Sequence, residues 1–152
     1  MVATFFGITG HVATVPLDDR RTINSEWYTT VSLPEVFQKV REKRPRGRLL
    51  LHYDNARAHT AARTSAYLSE QNVELMGHPA YSPDLAPNDF FLFPQVKDKL
   101  RGTRFTSADE AVVAFNNEVN NIPSEMWKKC FENWFYRMQK CIDCNGEYFE
   151  KL

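Results

Sequence analysis

Leu49-Leu50-Leu51-His52-Tyr53-Asp54-Asn55-Ala56-Arg57-Ala58-His59 is the most informative stretch of this chain. Three leucines in a row, with no polar alternation, predict a short strand buried on both faces and ending at Asp54. In open α/β sheets ligands bind beyond the carboxyl ends of the strands, so an acid there is a candidate metal ligand. The same Asp could instead do no more than cap the helix that follows. Local sequence leaves both readings open.

Downstream, a helix is expected over residues 60–71 and a short strand over Val73–Met76. A three-proline loop over residues 77–88 follows, then a helix from Asp89 to Arg101 closed by Gly102. Ser107-x-x-Glu110 reads as a capping box opening a helix to about Asn121. Ser124 is expected to cap a last helix that ends at Gly146. That helix carries Trp127, Phe131, Trp134, Met138 and Cys141 on one face, and Phe135 joins Trp127, Phe131 and Trp134 in the expected core cluster. Upstream, Val2–Ile8 and His11–Leu17 read as a hairpin turning at Thr9-Gly10, followed by the charged connector Asp18–Arg21. Asn24 caps a helix with Glu26 in its first turn and Trp27, Val31, Phe37 and Val40 on its apolar side, and Pro34 should kink or divide it. A basic stretch, Lys39 to Arg48, reads as solvated surface or as a contact for DNA backbone. Strands alternating with helices predict an α/β fold, part antiparallel hairpin and part parallel sheet.

Composition sets the limits. The 152 residues, 43% of them hydrophobic, suit one globular domain and exclude a disordered chain. Nineteen basic and nineteen acidic residues cancel, so net charge argues neither for nor against a nucleic-acid partner. Three clustered cysteines, Cys130, Cys141 and Cys144, fit a reducing intracellular compartment better than a disulfide framework, and the single C-x-x-C lacks the further ligands of a zinc site. No apolar run approaches the ~20 residues of a membrane span, and the first residues carry no basic segment of a signal peptide. The chain opens directly on residues that read as strand, which predicts that the domain has lost its beginning.

Asp89 is the second candidate acid. It opens a helix, where the N-terminal dipole favours negative charge, and a first-turn acid is the plain alternative. Taken with Asp54, it makes a carboxylate pair able to share Mg²⁺, a hard cation that prefers oxygen ligands.

The string His52-Tyr-Asp54-Asn55-Ala56-Arg57-x-His59, followed by Tyr81-Ser-Pro-Asp-Leu-Ala-Pro-x-Asp89, closely resembles the mariner family of transposases. Asp54 and Asp89 are separated by 89 − 54 − 1 = 34 residues, the family's own spacing. The resemblance extends to Thr22-Ile23-Asn24, to Leu100-Arg-Gly-x-Arg-Phe105, and to Gln139-Lys140-Cys141-Ile-Asp through Gly146-x-Tyr148-Phe149. It implies an RNase H-like mixed sheet flanked by helices, and cleavage and rejoining of DNA with Mg²⁺ or Mn²⁺. In that chemistry three aspartates hold two metals, one activating the attacking oxygen and one stabilising the leaving oxygen. Asp54 and Asp89 match the second and third. His52, Asn55, Arg57 and His59 are secondary site candidates: His52 because it lies two residues before Asp54 on the strand and so shares its face, Arg57 through phosphate, and Asn55 through orienting hydrogen bonds. Asp84 is expected to organise the loop as an Asx residue. The implied partners are transposon-end DNA and a second copy of the protein, and the implied location is the nucleus.

The family's first aspartate lies on a strand upstream of the hairpin, and its helix-turn-helix region lies further upstream still. Residues 1–152 are therefore expected to be a truncated catalytic domain lacking the first strand and inactive by itself. The alternative is a non-catalytic remnant that binds nucleic acid or a protein partner.

Overall fold

The computed structural model describes residues 1–17, 22–147 and 149, so the Asp18–Arg21 connector and Tyr148 lie outside the described residues. Strands β1 (Val2–Gly7) and β2 (Gly10–Pro16) form a hairpin. Helices α1 (Ser25–Trp27) and α2 (Leu33–Lys43) follow, then β3 (Leu49–His52), α3 (Arg57–Thr60), α4 (Ala62–Glu70) and β4 (Val73–Met76). The chain ends with α5 (Phe93–Leu100), α6 (Ala108–Asn120) and α7 (Ser124–Asp143). Among the described residues the mixed α/β architecture expected from the sequence is present as two two-stranded sheets, β1–β2 and a parallel β3–β4. No described helix is long and apolar enough to cross a membrane. Contacts gather the chain into two compact units, Met1–Phe5 with Val12–Ala80, and Phe6–His11 with Tyr81–Leu152.

The first unit is built on Ala13, Val15, Leu17, Trp27, Tyr28, Leu33, Val36, Phe37, Leu68 and Val73. Asn24 caps as expected, its side chain accepting the Trp27 N–H at 2.8 Å. Pro34 divides the helix in a specific way. Proline lacks the N–H that an α-helical turn needs, and the turn Tyr28–Ser32 just before it is π-helical, with Leu33 N–H bonded back to the Tyr28 carbonyl. The same device recurs in the second unit. There Asn88–Leu92 is π-helical, Phe93 N–H reaches the Asn88 carbonyl, and Pro94 follows.

β3 corrects one expectation. The strand ends at His52, two residues before Asp54, and it is not buried on both faces. Leu49 and Leu51 pack against the core, whereas Leu50 is 57% exposed. Successive side chains on a strand point to opposite faces, and the core lies on only one of them.

In the second unit Leu92, Val96, Val119 and Trp127 are buried together, with Phe6 and Phe91 against the Trp127 ring. The hairpin turns at Ile8-Thr9, one residue earlier than expected, and Gly10 opens β2 at φ +131, a conformation that strains any L side chain. Ser107 caps α6 by accepting the Glu110 N–H at 3.1 Å. Glu110 completes the box one residue further out, accepting from the Thr106 N–H and hydroxyl, and these bonds hold its carboxyl below the usual range. Ser124 does not cap α7. It is the first helical residue, and the cap position is Pro123, which makes no side-chain bond. Trp127, Cys130 and Trp134 form the buried face of α7, and Phe135 lies off it at 63% exposure, contrary to expectation. At about 100° per residue, position 135 is carried round from the stripe that includes 127, 130 and 134.

Burial pushes the Cys130 thiol up to about 12. At about pH 8 it holds almost no thiolate, the reactive form. Iodoacetamide should therefore modify the partly exposed Cys141 and Cys144 in the native protein and reach Cys130 only in denaturant, as read by peptide mass spectrometry. Native labelling of Cys130 as fast as the other two would contradict this.

Candidate functional site

Asp54 sits in the turn between β3 and α3, and its side chain is 59% exposed. Oδ1 accepts the Ala56 N–H at 3.1 Å and the His59 Nδ1–H at 2.8 Å. The capping alternative is not realised, because the cap position of α3 is Ala56 and it makes no side-chain bond. Asp54 instead folds its own turn through the residue two positions on.

His59 is held on its other sides by aromatic rings. Tyr28 and Tyr53 lie 4.7 and 4.8 Å from it, centroid to centroid. Burial, then the nearby Tyr53 and Asp54, raise the Tyr28 phenol above its ordinary range, and burial raises Tyr53. Both phenols stay protonated at neutral pH. The imidazole of His59 is thus fixed by two neutral rings and a carboxylate.

His52 does not share a strand face with Asp54, since β3 has already ended. Its Nε2 lies 3.1 Å from Nδ1 of His78. Burial, then the neighbouring His78, push the His52 imidazole down to about 4, against the opposing pull of Asp54. It is neutral at pH 7, and in such a pair one ring nitrogen must accept, so at least one of the two imidazoles has to be neutral. Asn55 turns to the same residue, its Nδ2 donating to the His78 carbonyl at 2.9 Å. Arg57 is exposed at the first position of α3.

Asp89 belongs to the second unit. It is exposed, at the second position of the π-helical turn Asn88–Leu92, and its N–H donates to the Ala86 carbonyl at 2.9 Å. Before it, Pro83–Leu85 is a 3₁₀ turn and Asp84 is buried at 6% exposure, with no partner for Oδ1. The expected Asx role of the Asp84 side chain is therefore not what organises this loop. Its backbone carbonyl accepts from Arg137 Nη1 at 3.3 Å, and the Arg137 guanidinium lies 4.5 Å from the Phe90 ring centroid. One arginine on α7 so holds both ends of the turn that carries Asp89. Arg137→Ala should cost about 1–3 kcal/mol of stability, with Arg137→Lys retaining only part of it, because a guanidinium plane stacks on a ring and an ammonium does not. Chemical denaturation measures both, and equal stability in all three proteins would remove this role.

Among the described residues no three or more His, Cys, Asp or Glu side chains are gathered to hold a metal ion. The sequence reading missed His78, Tyr28, Tyr53 and Arg137. His78 was within reach of it. In the parallel register His52 pairs with Met76, so two residues further along each strand are Asp54 and His78. Arg137 has no such signal, being 53 residues from Asp84.

The profile of the DDE superfamily endonuclease family matches residues 14–112, which include both Asp54 and Asp89. The chain belongs to this family of DDE superfamily endonucleases. Within it the likeness is to the mariner transposase catalytic domain. The chain is 31% identical over 134 residues to the Mariner Mos1 transposase of Drosophila mauritiana, covering 85% of this chain and 39% of that protein. It is 34% identical over 155 residues to the human Histone-lysine N-methyltransferase SETMAR, covering 99% of this chain and 22% of that protein. It thus spans about two-fifths of the length of the Mos1 relative and about a fifth of that of the SETMAR relative. The crystal structure of the Mos1 catalytic domain superposes with a TM-score of 0.91 at 28% identity, over 98% of this chain and 75% of that one. The Mos1 paired-end complex with the left transposon end superposes at 0.90 and 28% identity, over 97% of this chain and 44% of that one. Further Mos1 structures that match contain Mg or Mn.

Proposed function

We propose that Asp54 and Asp89 are metal-binding carboxylates of a mariner-type transposase that cleaves and rejoins DNA, and that residues 1–152 are one stretch of its single catalytic domain. What carries the reading is the 34-residue spacing of the two acids, each inside its own motif and both inside the family match. The donor set suits Mg²⁺ or Mn²⁺. Both acids are exposed, Asp54 through more than half of its side chain, so a hard cation could keep most of its waters while taking a carboxylate oxygen. When bound, such ions activate the attacking oxygen and stabilise the leaving one. His59 and the Ala56 N–H fix which way the Asp54 carboxylate faces. Arg57, exposed beside it, is read as a phosphate contact, and His52 and Asn55 as supports of the turn. DNA ends, a homodimeric assembly and a nuclear location belong to the same proposal.

By themselves, residues 1–152 supply two of the family's three aspartates, and we expect them not to cleave. Incubated with duplex DNA in Mg²⁺ or Mn²⁺, the chain should leave it intact. A fusion that places an aspartate-bearing strand ahead of β1 should gain metal-dependent cleavage, and Asp54→Asn or Asp89→Asn should each remove it. Cleavage that survives Asp89→Asn would sink the assignment. Salt-sensitive DNA binding with no metal dependence in any variant would favour a non-catalytic remnant.

A further inference from the structure

Asp54 is flanked by two side chains that both turn to the same distant residue. His52, two positions before it, meets the His78 ring at 3.1 Å, and Asn55, one position after it, donates to the His78 carbonyl at 2.9 Å. His78 lies two residues beyond the end of β4, at the start of the loop that runs on towards Asp89. We propose that His78 is a positioning residue for Asp54, tying the turn that carries it to the end of β4.

The physical case rests on the shortness of β3. Its ladder ends at the pair His52–Met76, so from Tyr53 onward no strand pairing holds the backbone. An exposed carboxylate on such a turn would sample many directions, and a metal ligand needs one. The inner contacts of Asp54, with the Ala56 N–H and His59, fix the carboxylate relative to its own turn. They tie it to the core through His59, packed on Tyr28 and Tyr53, but not to the end of β4. The two bonds to His78 do that, one through the ring and one through the backbone, from residues on both sides of Asp54. The rings of His52 and His78 meet edge to face at 77°, so the contact has a defined direction.

This inference deepens the metal reading of Asp54 and rests on it for its meaning, but it can be tested apart from it. The proteins compared are the wild-type chain, His78→Ala, His78→Asn and Asp54→Asn. Asparagine carries a polar atom where His78 has Nδ1, so it should restore the ring contact that alanine removes.

The first readout is exchange of the Ala56 amide hydrogen by NMR, which reports the Asp54 turn without any metal. It should accelerate about tenfold in His78→Ala and stay near wild type in His78→Asn. The second is Mn²⁺ affinity. Its Asp54-dependent part should weaken by about tenfold in His78→Ala, the usual scale for an outer-shell partner, and recover in His78→Asn. Unchanged Ala56 exchange in His78→Ala overturns the proposal, as does equal loss in the alanine and asparagine variants. If the wild-type chain shows no Asp54-dependent Mn²⁺ binding, the metal reading fails, and the exchange readout still decides whether His78 holds the turn.

Discussion

Trp127→Ala is expected to lower the unfolding free energy by about 3–5 kcal/mol, while Phe135→Ala, eight residues along the same helix, changes it by less than about 0.5 kcal/mol. Trp127 is 3% exposed and touches Phe6 at 4.9 Å and Phe91 at 5.5 Å, centroid to centroid, with Gly10 against its edge. Removing the indole leaves a cavity lined by side chains from the hairpin tip, α6 and the π-helical turn of Asp89. Phe135 is 63% exposed, so its loss opens nothing. For a chain of this size the tryptophan variant should melt roughly 10 °C lower. Far-UV circular dichroism, which does not depend on the lost indole, measures both. Equal destabilisation by the two substitutions would mean that the buried face of α7 is wrongly placed.

The second large effect is on metal. Asp54→Asn should weaken Mn²⁺ binding by more than about 100-fold, because losing even an outer-shell partner of a metal ligand costs roughly 10- to 100-fold. Stability should hardly change. Asparagine is isosteric, and its carbonyl oxygen can still accept the Ala56 N–H and the His59 Nδ1–H that Asp54 Oδ1 accepts now. His59→Ala should give an intermediate loss of about tenfold, since it removes one bond to the carboxylate and the ring held between Tyr28 and Tyr53. Titration followed by electron paramagnetic resonance reads free Mn²⁺ directly. Wild-type affinity in Asp54→Asn would take Asp54 out of the metal site and leave its role as a turn former.

Much of this protein was legible in the order of its residues, wherever the cause is local. Asn24 and Ser107 cap because a side-chain oxygen reaches an amide three residues on. Pro34 divides its helix because it has no amide to donate, and β4 occupies the residues that its composition predicted. The two aspartate motifs and the spacing between them are read from the chain alone, and the family match extends across both.

Tertiary structure decided what depends on who lies opposite. Three identical leucines in β3 cannot say which faces the core, and only packing on one side leaves Leu50 open. His52 was assigned to Asp54 by strand periodicity, but β3 stops before that periodicity reaches the aspartate, and its partner is a histidine 26 residues away. Arg137 reaches the Asp89 turn across 53 residues. A local pattern records a residue's neighbours along the chain. The energy of a buried ring, a stacked guanidinium or a shared imidazole hydrogen bond depends on neighbours in space, which are known only once the elements have packed.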